Sequence, residues 1–382
     1  MRRGRETGLV LSLLASLAFG VGGHAGTASA TSSTLQCATQ IVSAWPIAQQ
    51  ANETVVVPVD AMNLGGMVPA ARAGFGGLLL LGSRAPSVMA TTITALQRKT
   101  PSHYSMMVMT DEEGGGVRRL QNLVGPFPWP QDMGRTMTPH QIRAVAVSVG
   151  KALSAVGVNT DLAPVVDLDA RRVWPGPTNP DGLRSFGAAP LKTSVDAIAF
   201  SGGLTSANVL AVVKHFPGLG GSNTNTDYGP AVTKPWSVLQ RTGLIPFERA
   251  IAAGAAAVML SNAVVPGLST VPAGLSPEVV AALRNDLGFQ GLIMTDSLSA
   301  GAISALHLTV PTAAVRALTA GVDQILFGGA SSVANSLATA QAISTAIQAA
   351  VANGTLPVAR LIDAAAHVLV ARNVVSCTTP TS

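Results

Sequence analysis

Short runs of apolar and β-branched residues recur along the chain, and longer segments with apolar residues at helical spacing lie between them. The short runs predict eight β-strands. They are Thr54–Val59, Gly77–Gly82, Tyr104–Thr110, Gly157–Leu162, Val209–His215, Ala256–Ser261, Gly291–Asp296 and Asp323–Phe327. The helical spacing predicts helices in segments that include Thr138–Ala155, Leu191–Ala207, Ser237–Ala253 and Ser276–Leu287, and in the tail after about Ala330.

The order of these elements predicts the fold class. Near-continuous apolar strands that alternate with helices are typical of a parallel sheet whose outer face is covered by helices. Eight strand–helix units favour a closed barrel over an open, doubly wound sheet. We therefore predict an α/β fold, a (β/α)8 TIM-type barrel, that forms a single domain over residues 31–382.

The first 30 residues have the features of a secretory signal peptide. A basic head with three arginines precedes an apolar run over residues 8–21, and Ala28-Ser29-Ala30 fits a cleavage site of small residues. A membrane anchor is the alternative, but a run of about 14 residues is short for a bilayer span. We therefore expect cleavage near Ala30, a secreted or extracytoplasmic protein, and no stable membrane span.

Charge and cysteine content narrow the function classes further. The chain carries 24 Lys and Arg against 19 Asp and Glu. This surplus is small and scattered, so we expect no nucleic-acid partner.

The two cysteines, Cys37 and Cys377, lie near opposite ends of the chain. Because a barrel places its first and last units side by side, we predict a Cys37–Cys377 disulfide in an oxidising compartment rather than two thiols. We also expect a monomer.

Polar residues stand where several predicted strands end. They are Asp111, Asp161, Lys214-His215, Asn262 and Asp296. In a (β/α)8 barrel the carboxyl ends of all strands face one side, where the following loops build the active site. Buried charges are costly unless they are hydrogen-bonded or used. The set therefore indicates a functional site, although each residue taken alone could cap a helix or tether a loop.

Five segments in this order resemble the bacterial β-N-acetylglucosaminidases of glycoside hydrolase family 3, which trim cell-wall fragments. The resemblance covers about residues 52–330 and implies a single-barrel glycosidase. The segments are Thr110-Asp111-Glu112-Glu113-Gly114-Gly115, Asp161-Leu162-Ala163-Pro164-Val165-Val166-Asp167, Arg184-Ser185-Phe186-Gly187, Lys214-His215-Phe216-Pro217-Gly218 and Met294-Thr295-Asp296-Ser297-Leu298-Ser299.

The resemblance also implies roles for single residues. Glycoside hydrolysis passes through an oxocarbenium-like state and needs a carboxylate on one face of the sugar. Asp296 matches the nucleophile, which would give retention of configuration; the alternative for Asp296 is a helix N-cap. The residues that match the family's clamp on the terminal sugar are Asp111, Arg119, Arg184, Lys214 and His215. Such groups make charge-assisted hydrogen bonds to hydroxyls. For Lys214 the alternative is a buried structural ion pair.

The chain departs from the family at the acid/base motif. The family has Asp-Ser-His a few residues after Lys-His-Phe-Pro-Gly, and this chain has Asn225-Thr226-Asp227. Asp227 is therefore the candidate proton donor, because a carboxylic acid serves this role when its pKa is raised. The alternative for Asp227 is an Asx-turn residue in a polar loop. In addition, Gly116 replaces a family Arg, and Asn262 stands where the family commonly has His.

The resemblance implies a retaining exo-β-N-acetylhexosaminidase-like hydrolase that acts on β-linked N-acetylglucosamine of cell-wall or related glycans. One alternative is a catalytically impaired relative that binds glycans. Another is a transferase or phosphorylase that keeps Asp296 but does not depend on a strong acid. We expect no metal and no organic cofactor, since the sequence has neither metal-ligand spacing nor a Gly-x-Gly-x-x-Gly motif after a strand.

Overall fold

A computed structural model describes residues 24–101, 104–328 and 332–372. Within these ranges all eight predicted strands form, with small shifts at their ends. A short hairpin of β4 and β5, which the sequence analysis did not predict, follows β3. The strands are β1 Val55–Asp60, β2 Gly77–Leu81, β3 Met107–Thr110, β4 Glu112–Gly114, β5 Val117–Arg118, β6 Thr160–Asp161, β7 Leu210–Phe216, β8 Ala257–Leu260, β9 Leu292–Thr295 and β10 Ile325–Leu326.

The eight main strands make one parallel sheet in the order β10-β1-β2-β3-β6-β7-β8-β9. A parallel bridge between Met294 and Gln324 joins β9 to the start of β10. The Thr295 N–H also donates to the Gln324 carbonyl at 3.0 Å. The sheet thereby closes on itself, and the predicted α/β barrel is confirmed.

Alternate residues along each strand face the inside and the outside of this barrel. The inner set forms a compact apolar core that includes Val56, Met109, Val212, Met259 and Met294. Their sequence neighbours, such as Val55, Val108 and Val213, pack outward against the helices. Because both faces are buried, the strands needed apolar residues at nearly every position, which is the pattern that predicted them.

The helices surround the sheet. They are α1 His24–Ser43, α2 Ile47–Glu53, α3 Val68–Ala73, α4 Met89–Gln97, α5 Gln121–Val124, α6 Pro130–Thr136, α7 Pro139–Ala155, α8 Pro190–Thr205, α9 Trp236–Leu239, α10 Leu244–Ala252, α11 Pro277–Ala281, α12 Gly301–Ser304, α13 Val310–Ala320, α14 Val333–Ala352 and α15 Val358–Ala371. The helix predicted over Ser237–Ala253 is two helices, because the chain turns between them where Gly243 packs against Gly218 after β7. The tail predicted as helix forms α14 and α15.

The two ends of the described chain pack together. Helix α1 contacts α15 through a small apolar cluster that includes Ala38, Val42, Ala365 and Leu369. Cys37 lies in α1, but Cys377 is outside the described residues, so the disulfide stays a prediction. The apolar run of the predicted signal peptide, residues 8–21, also lies outside them. No helix within the described ranges is long and apolar enough to cross a membrane.

Candidate active site

Lys214 is the centre of a charge network at the carboxyl end of the barrel. It lies in β7 with its side chain only 3% exposed. Its ammonium Nζ is 2.8 Å from Asp111 Oδ1, just after β3, and 2.7 Å from Glu113 Oε1 in β4. Burial alone would lower the pKa of Lys214, but the Asp111 and Glu113 carboxylates outweigh it and raise the pKa. The buried ion pair, which was the alternative for Lys214, is therefore present, and its role as a sugar clamp stays a prediction.

Glu113 joins Lys214 to Arg184. The Arg184 guanidinium binds Glu113 in a bidentate pair, with Nε 2.7 Å from Oε2 and Nη2 2.8 Å from Oε1. Burial pushes the pKa of Glu113 upward, but Arg184 and Lys214 outweigh it and hold the pKa well below its usual range. Arg119 lies at the outer edge of this network, its Nε 3.7 Å from Asp111 Oδ2 and its side chain 40% exposed. The structure thus brings Asp111, Arg119, Arg184 and Lys214 together.

Asp167 binds both the backbone and the side chain of His215. Its Nδ1 is 2.7 Å from Asp167 Oδ2, and its backbone N–H donates to the same oxygen at 3.1 Å. The Leu219 N–H donates to Asp167 Oδ1 at 2.6 Å. Burial, followed by the nearby Arg184 charge, lowers the pKa of His215 to about 4. The imidazole is therefore neutral near pH 7, and its Nδ1 is fixed on the carboxyl group.

Asp181 lies beside this pair and is fully buried. Its carboxyl group, the Asp167 carboxyl group and the His215 imidazole place ligand-type atoms within 4.8 Å of one another. Burial, followed by the Asp167 charge, raises the pKa of Asp181 well above its usual range. Since both Asp167 oxygens already accept backbone N–H groups, we assign no metal to this cluster. Two adjacent buried carboxyls instead favour a shared proton.

Asp296 follows β9 and is partly buried in the mouth of the barrel. Its Oδ1 accepts the Ser297 N–H at 2.6 Å. The next helix, α12, starts only at Gly301 and has Ala300 as its N-cap residue, so the N-cap alternative for Asp296 is wrong. Burial raises the pKa of Asp296, the neighbouring His215 lowers it, and the Asp227 charge raises it further. Asp296 therefore lies close enough to both groups to interact electrostatically with them.

Two polar strand-end residues of the predicted set tether loops. Asp161 accepts the Glu112 backbone N–H at 2.9 Å and so holds the hairpin that carries Glu113. The Asn262 side-chain amide donates to the Ser297 carbonyl at 2.8 Å and holds the segment after Asp296. These residues position the site rather than reach into it, which is the alternative that the sequence left open for each of them.

The loop of Asp227 is docked across the same mouth. The Asp227 N–H donates to Asn225 Oδ1 at 3.0 Å, so the Asx turn belongs to Asn225 and not to Asp227. The Asp227 carbonyl accepts the Gly301 N–H at 3.0 Å, and the Asn225 N–H donates to the Pro177 carbonyl at 2.9 Å. The Asp227 side chain itself is exposed. The loop is thus joined to the start of α12 and to the loop after β6.

Sequence reasoning assigned no role to Glu113, Asp167 or Asp181. Glu113 and Asp167 lie inside two of the five segments that resemble the family. The adjacent acidic residues of Asp-Glu-Glu-Gly-Gly indicated that one of these carboxylates needs a neutralising partner. Asp181 carried no such signal, because its proximity to Asp167 depends on the path of the loop after β6. Glu113 pairs with Lys214 and Arg184, and Asp167 pairs with His215, while Asp181 acts on this group through its charge.

Comparisons with known proteins identify the family of the chain. Residues 42–371 match the glycosyl hydrolase family 3 N-terminal domain. The chain is 36% identical over 234 residues to β-hexosaminidase LpqI of Mycobacterium tuberculosis, and the match spans 58% of the length of each protein. It is 33% identical over 293 residues to an uncharacterized secreted glycosyl hydrolase of Arthroderma benhamiae, covering 74% of this chain and 80% of that one.

A solved structure shares the barrel as well. The β-N-acetylhexosaminidase of Beutenbergia cavernae superposes with a TM-score of 0.74 at 29% identity. The superposition covers 86% of this chain and 99% of that chain. The likeness therefore extends over nearly the whole of that chain, beyond the segments that carry the charge network.

Proposed function

Because the chain belongs to glycosyl hydrolase family 3, we propose that it is a retaining exo-β-N-acetylhexosaminidase. Its substrates would be β-linked N-acetylglucosamine residues of cell-wall or related glycans outside the cytoplasm. The similarity to β-hexosaminidase LpqI and to a secreted glycosyl hydrolase supports this activity and location. The observation that carries the proposal is Asp296 at the mouth of a barrel, beside the network of Lys214 and Asp111.

In this proposal Asp296 attacks the anomeric carbon and forms a glycosyl-enzyme, which water then hydrolyses with net retention. Lys214, Asp111 and Arg184 hold the hydroxyls of the terminal sugar. Glu113 neutralises much of the Arg184 charge through their bidentate pair, so the clamp presents a balanced set of donors and acceptors. Neutral His215, oriented by Asp167, offers Nε2 for a further hydrogen bond.

Asp227 would protonate the leaving oxygen. Its loop is bound to the first residues of α12, a few residues after the nucleophile, and its charge acts on Asp296. The side chain is exposed without substrate. A bound sugar would cover it, and a carboxylic acid is the usual proton donor of retaining glycosidases.

A glycan-binding relative without strong catalysis is the second candidate, and the exposure of Asp227 is the observation that favours it. A transferase or phosphorylase that keeps Asp296 is a further alternative. Each would retain the clamp residues, so sugar binding alone does not separate these functions from hydrolysis.

The test uses two aryl β-N-acetylglucosaminides, one with a good leaving group and one with a poor one. Asp296→Ala should abolish turnover of both. Asp227→Asn should slow the poor leaving group by about 10²–10⁴-fold and the good one much less, which is the signature of a lost general acid. Asp286→Asn, an exposed carboxylate on the outer face near α11, is the matched control and should leave both rates unchanged. Wild-type protein that binds the sugar but cleaves neither substrate would replace this proposal with the binding function.

A further inference from the structure

Two tryptophans meet at the mouth of the barrel beside the charge network. Trp129 and Trp174 have ring centroids 5.0 Å apart and ring planes at 86°. Trp129 is only 9% exposed, whereas Trp174 is 67% exposed. An exposed Trp that rests edge-on against a buried one presents a flat apolar surface to solvent and has little freedom to move.

The two rings pack against the tip of the β4–β5 hairpin, which consists of Gly115 and Gly116. A Cβ on Gly115 would lie 2.0 Å from Trp129 Cδ2. A Cβ on Gly116 would lie 2.7 Å from Trp174 Cζ3 and 2.9 Å from Trp129 Cζ2. Neither rigid ring can easily move aside for a Cβ atom, so both hairpin positions require glycine.

The loop that carries Trp174 is firmly anchored. Arg171 and Asp169 form a salt bridge at 2.8 Å, and the Gln131 side-chain amide donates to both of their carbonyls at 3.2 Å. Leu183, further along the same loop, donates its N–H to the carbonyl of Val173, the residue before Trp174, at 3.0 Å. A platform fixed in this way loses little conformational entropy when a ligand binds to it.

The position of this loop identifies the part of the substrate that it would meet. Trp174 contacts the tip of the hairpin that begins with Glu112 and Glu113, and Glu113 belongs to the charge network of Lys214. The same loop accepts the Asn225 N–H at Pro177, so it also touches the loop of Asp227. The loop of Trp174 thus contacts both the hairpin that carries Glu113 and the loop that carries the candidate proton donor.

We propose that Trp174 forms the floor of a second sugar subsite, which receives the sugar unit on the leaving-group side of the scissile bond. This inference rests on the proposed glycosidase function. One face of a β-linked pyranose carries axial C–H groups and is apolar, so it stacks on an exposed indole while its rim of hydroxyls stays solvated. The protein would then prefer oligosaccharides of β-linked N-acetylglucosamine over substrates with small leaving groups.

Two substrates test the subsite in the full chain. N,N′-diacetylchitobiose fills both subsites, and N-acetylglucosaminyl fluoride has a leaving group of one atom. Trp174→Ala should reduce kcat/KM for the disaccharide roughly ten-fold, mainly through KM, with a several-fold smaller loss for the fluoride. Trp174→Phe should recover most of the loss, and Val173→Ala, an exposed neighbour on the same loop, is the matched control. Equal losses on both substrates, or none on the disaccharide, would overturn the subsite while leaving the glycosidase function intact.

A binding measurement separates the two proposals when turnover fails. In the Asp296→Asn background, calorimetry should show roughly ten-fold weaker binding of N,N′-diacetylchitobiose after Trp174→Ala, and nearly unchanged binding of N-acetylglucosamine. This result without wild-type turnover would support the subsite and reject the hydrolase. Unchanged affinity for the disaccharide, or no binding of it in either background, would reject the subsite.

Discussion

Two acidic and two basic side chains lie in direct contact at one end of the barrel. They are Asp111, Glu113, Arg184 and Lys214. Each ion pair offsets part of the cost of burying its members, and removal of one partner would leave an uncompensated buried charge. A loss of activity in a clamp variant therefore has to be compared with its loss of stability before it is assigned to substrate binding. This coupling explains why a residue such as Lys214 fits both the binding and the structural interpretation.

The acid limb of the pH profile tests the environment of Asp296. The proposed nucleophile would act as a carboxylate, and burial together with the Asp227 charge raises the pKa of Asp296 above the usual value of about 3.9. Activity should therefore fall as the pH drops through this raised pKa, earlier than for an exposed Asp. The measurement is kcat/KM against pH with a good leaving group.

Asp227→Asn removes one of the charges that raise this pKa, so it should move the acid limb to lower pH. The Asp286→Asn control should not move it. An acid limb at or below about pH 3.9 in the wild type, or one that Asp227→Asn leaves in place, would contradict the proximity of the two carboxyl groups.

One buried carboxylate, that of Asp323, joins two strands and a helix at the opposite end of the barrel. Asp323 just before β10 accepts the Ile293 N–H of β9 at 2.9 Å. Arg284 binds the same oxygen, Oδ2, and the other oxygen, Oδ1, is 2.7 Å from Arg360 Nη2 of α15. An ion-pair network at this end of a barrel serves stability and not catalysis, since active sites of such barrels lie at the carboxyl ends of the strands.

Asp323→Asn should therefore destabilise the protein while sparing its chemistry. Two buried arginines would lose their common partner, and such a change costs about 3–5 kcal/mol. Chemical denaturation measures the free energy of unfolding, and kcat/KM at a temperature well below unfolding should stay near the wild-type value. The surface pair of Arg135 and Asp132 offers the control, since Arg135→Gln should cost under about 1 kcal/mol. A loss for Asp323→Asn no larger than this control would contradict the interpretation.

The strands could be predicted from sequence because burial on both faces leaves a continuous apolar run at each of them. Their ends were less accurate. The run Tyr104–Thr110 gave a strand that begins only at Met107, because Tyr104 instead packs beside Trp45 of the N-terminal segment, with ring centroids 6.1 Å apart. Site residues at strand ends were predictable from the barrel rule and the family segments. Asp181 and the seat of Trp174 were not, because both depend on how the long loop after β6 folds back over the mouth.

For the whole molecule, the packing of α1 on α15 brings the two ends of the described chain together. This contact supports the predicted Cys37–Cys377 bridge, since Cys377 is six residues beyond the end of α15 at Ala371. In secreted protein, peptide mapping without reduction should find one disulfide-linked pair of peptides. Its reduction should lower the free energy of unfolding by roughly 2–5 kcal/mol. Alkylation of both thiols in freshly secreted, unreduced protein would show that no bridge forms.

The central claim is that Asp296 forms a covalent bond to the sugar, and trapping of the intermediate tests it most directly. A fluorinated N-acetylglucosaminide with an activated leaving group should react quickly and then hydrolyse slowly. Mass spectrometry should show one sugar added to the protein, on the peptide that contains Asp296, and no addition to Asp296→Ala. Turnover in the wild type with no trapped adduct, or an adduct on another residue, would contradict the account.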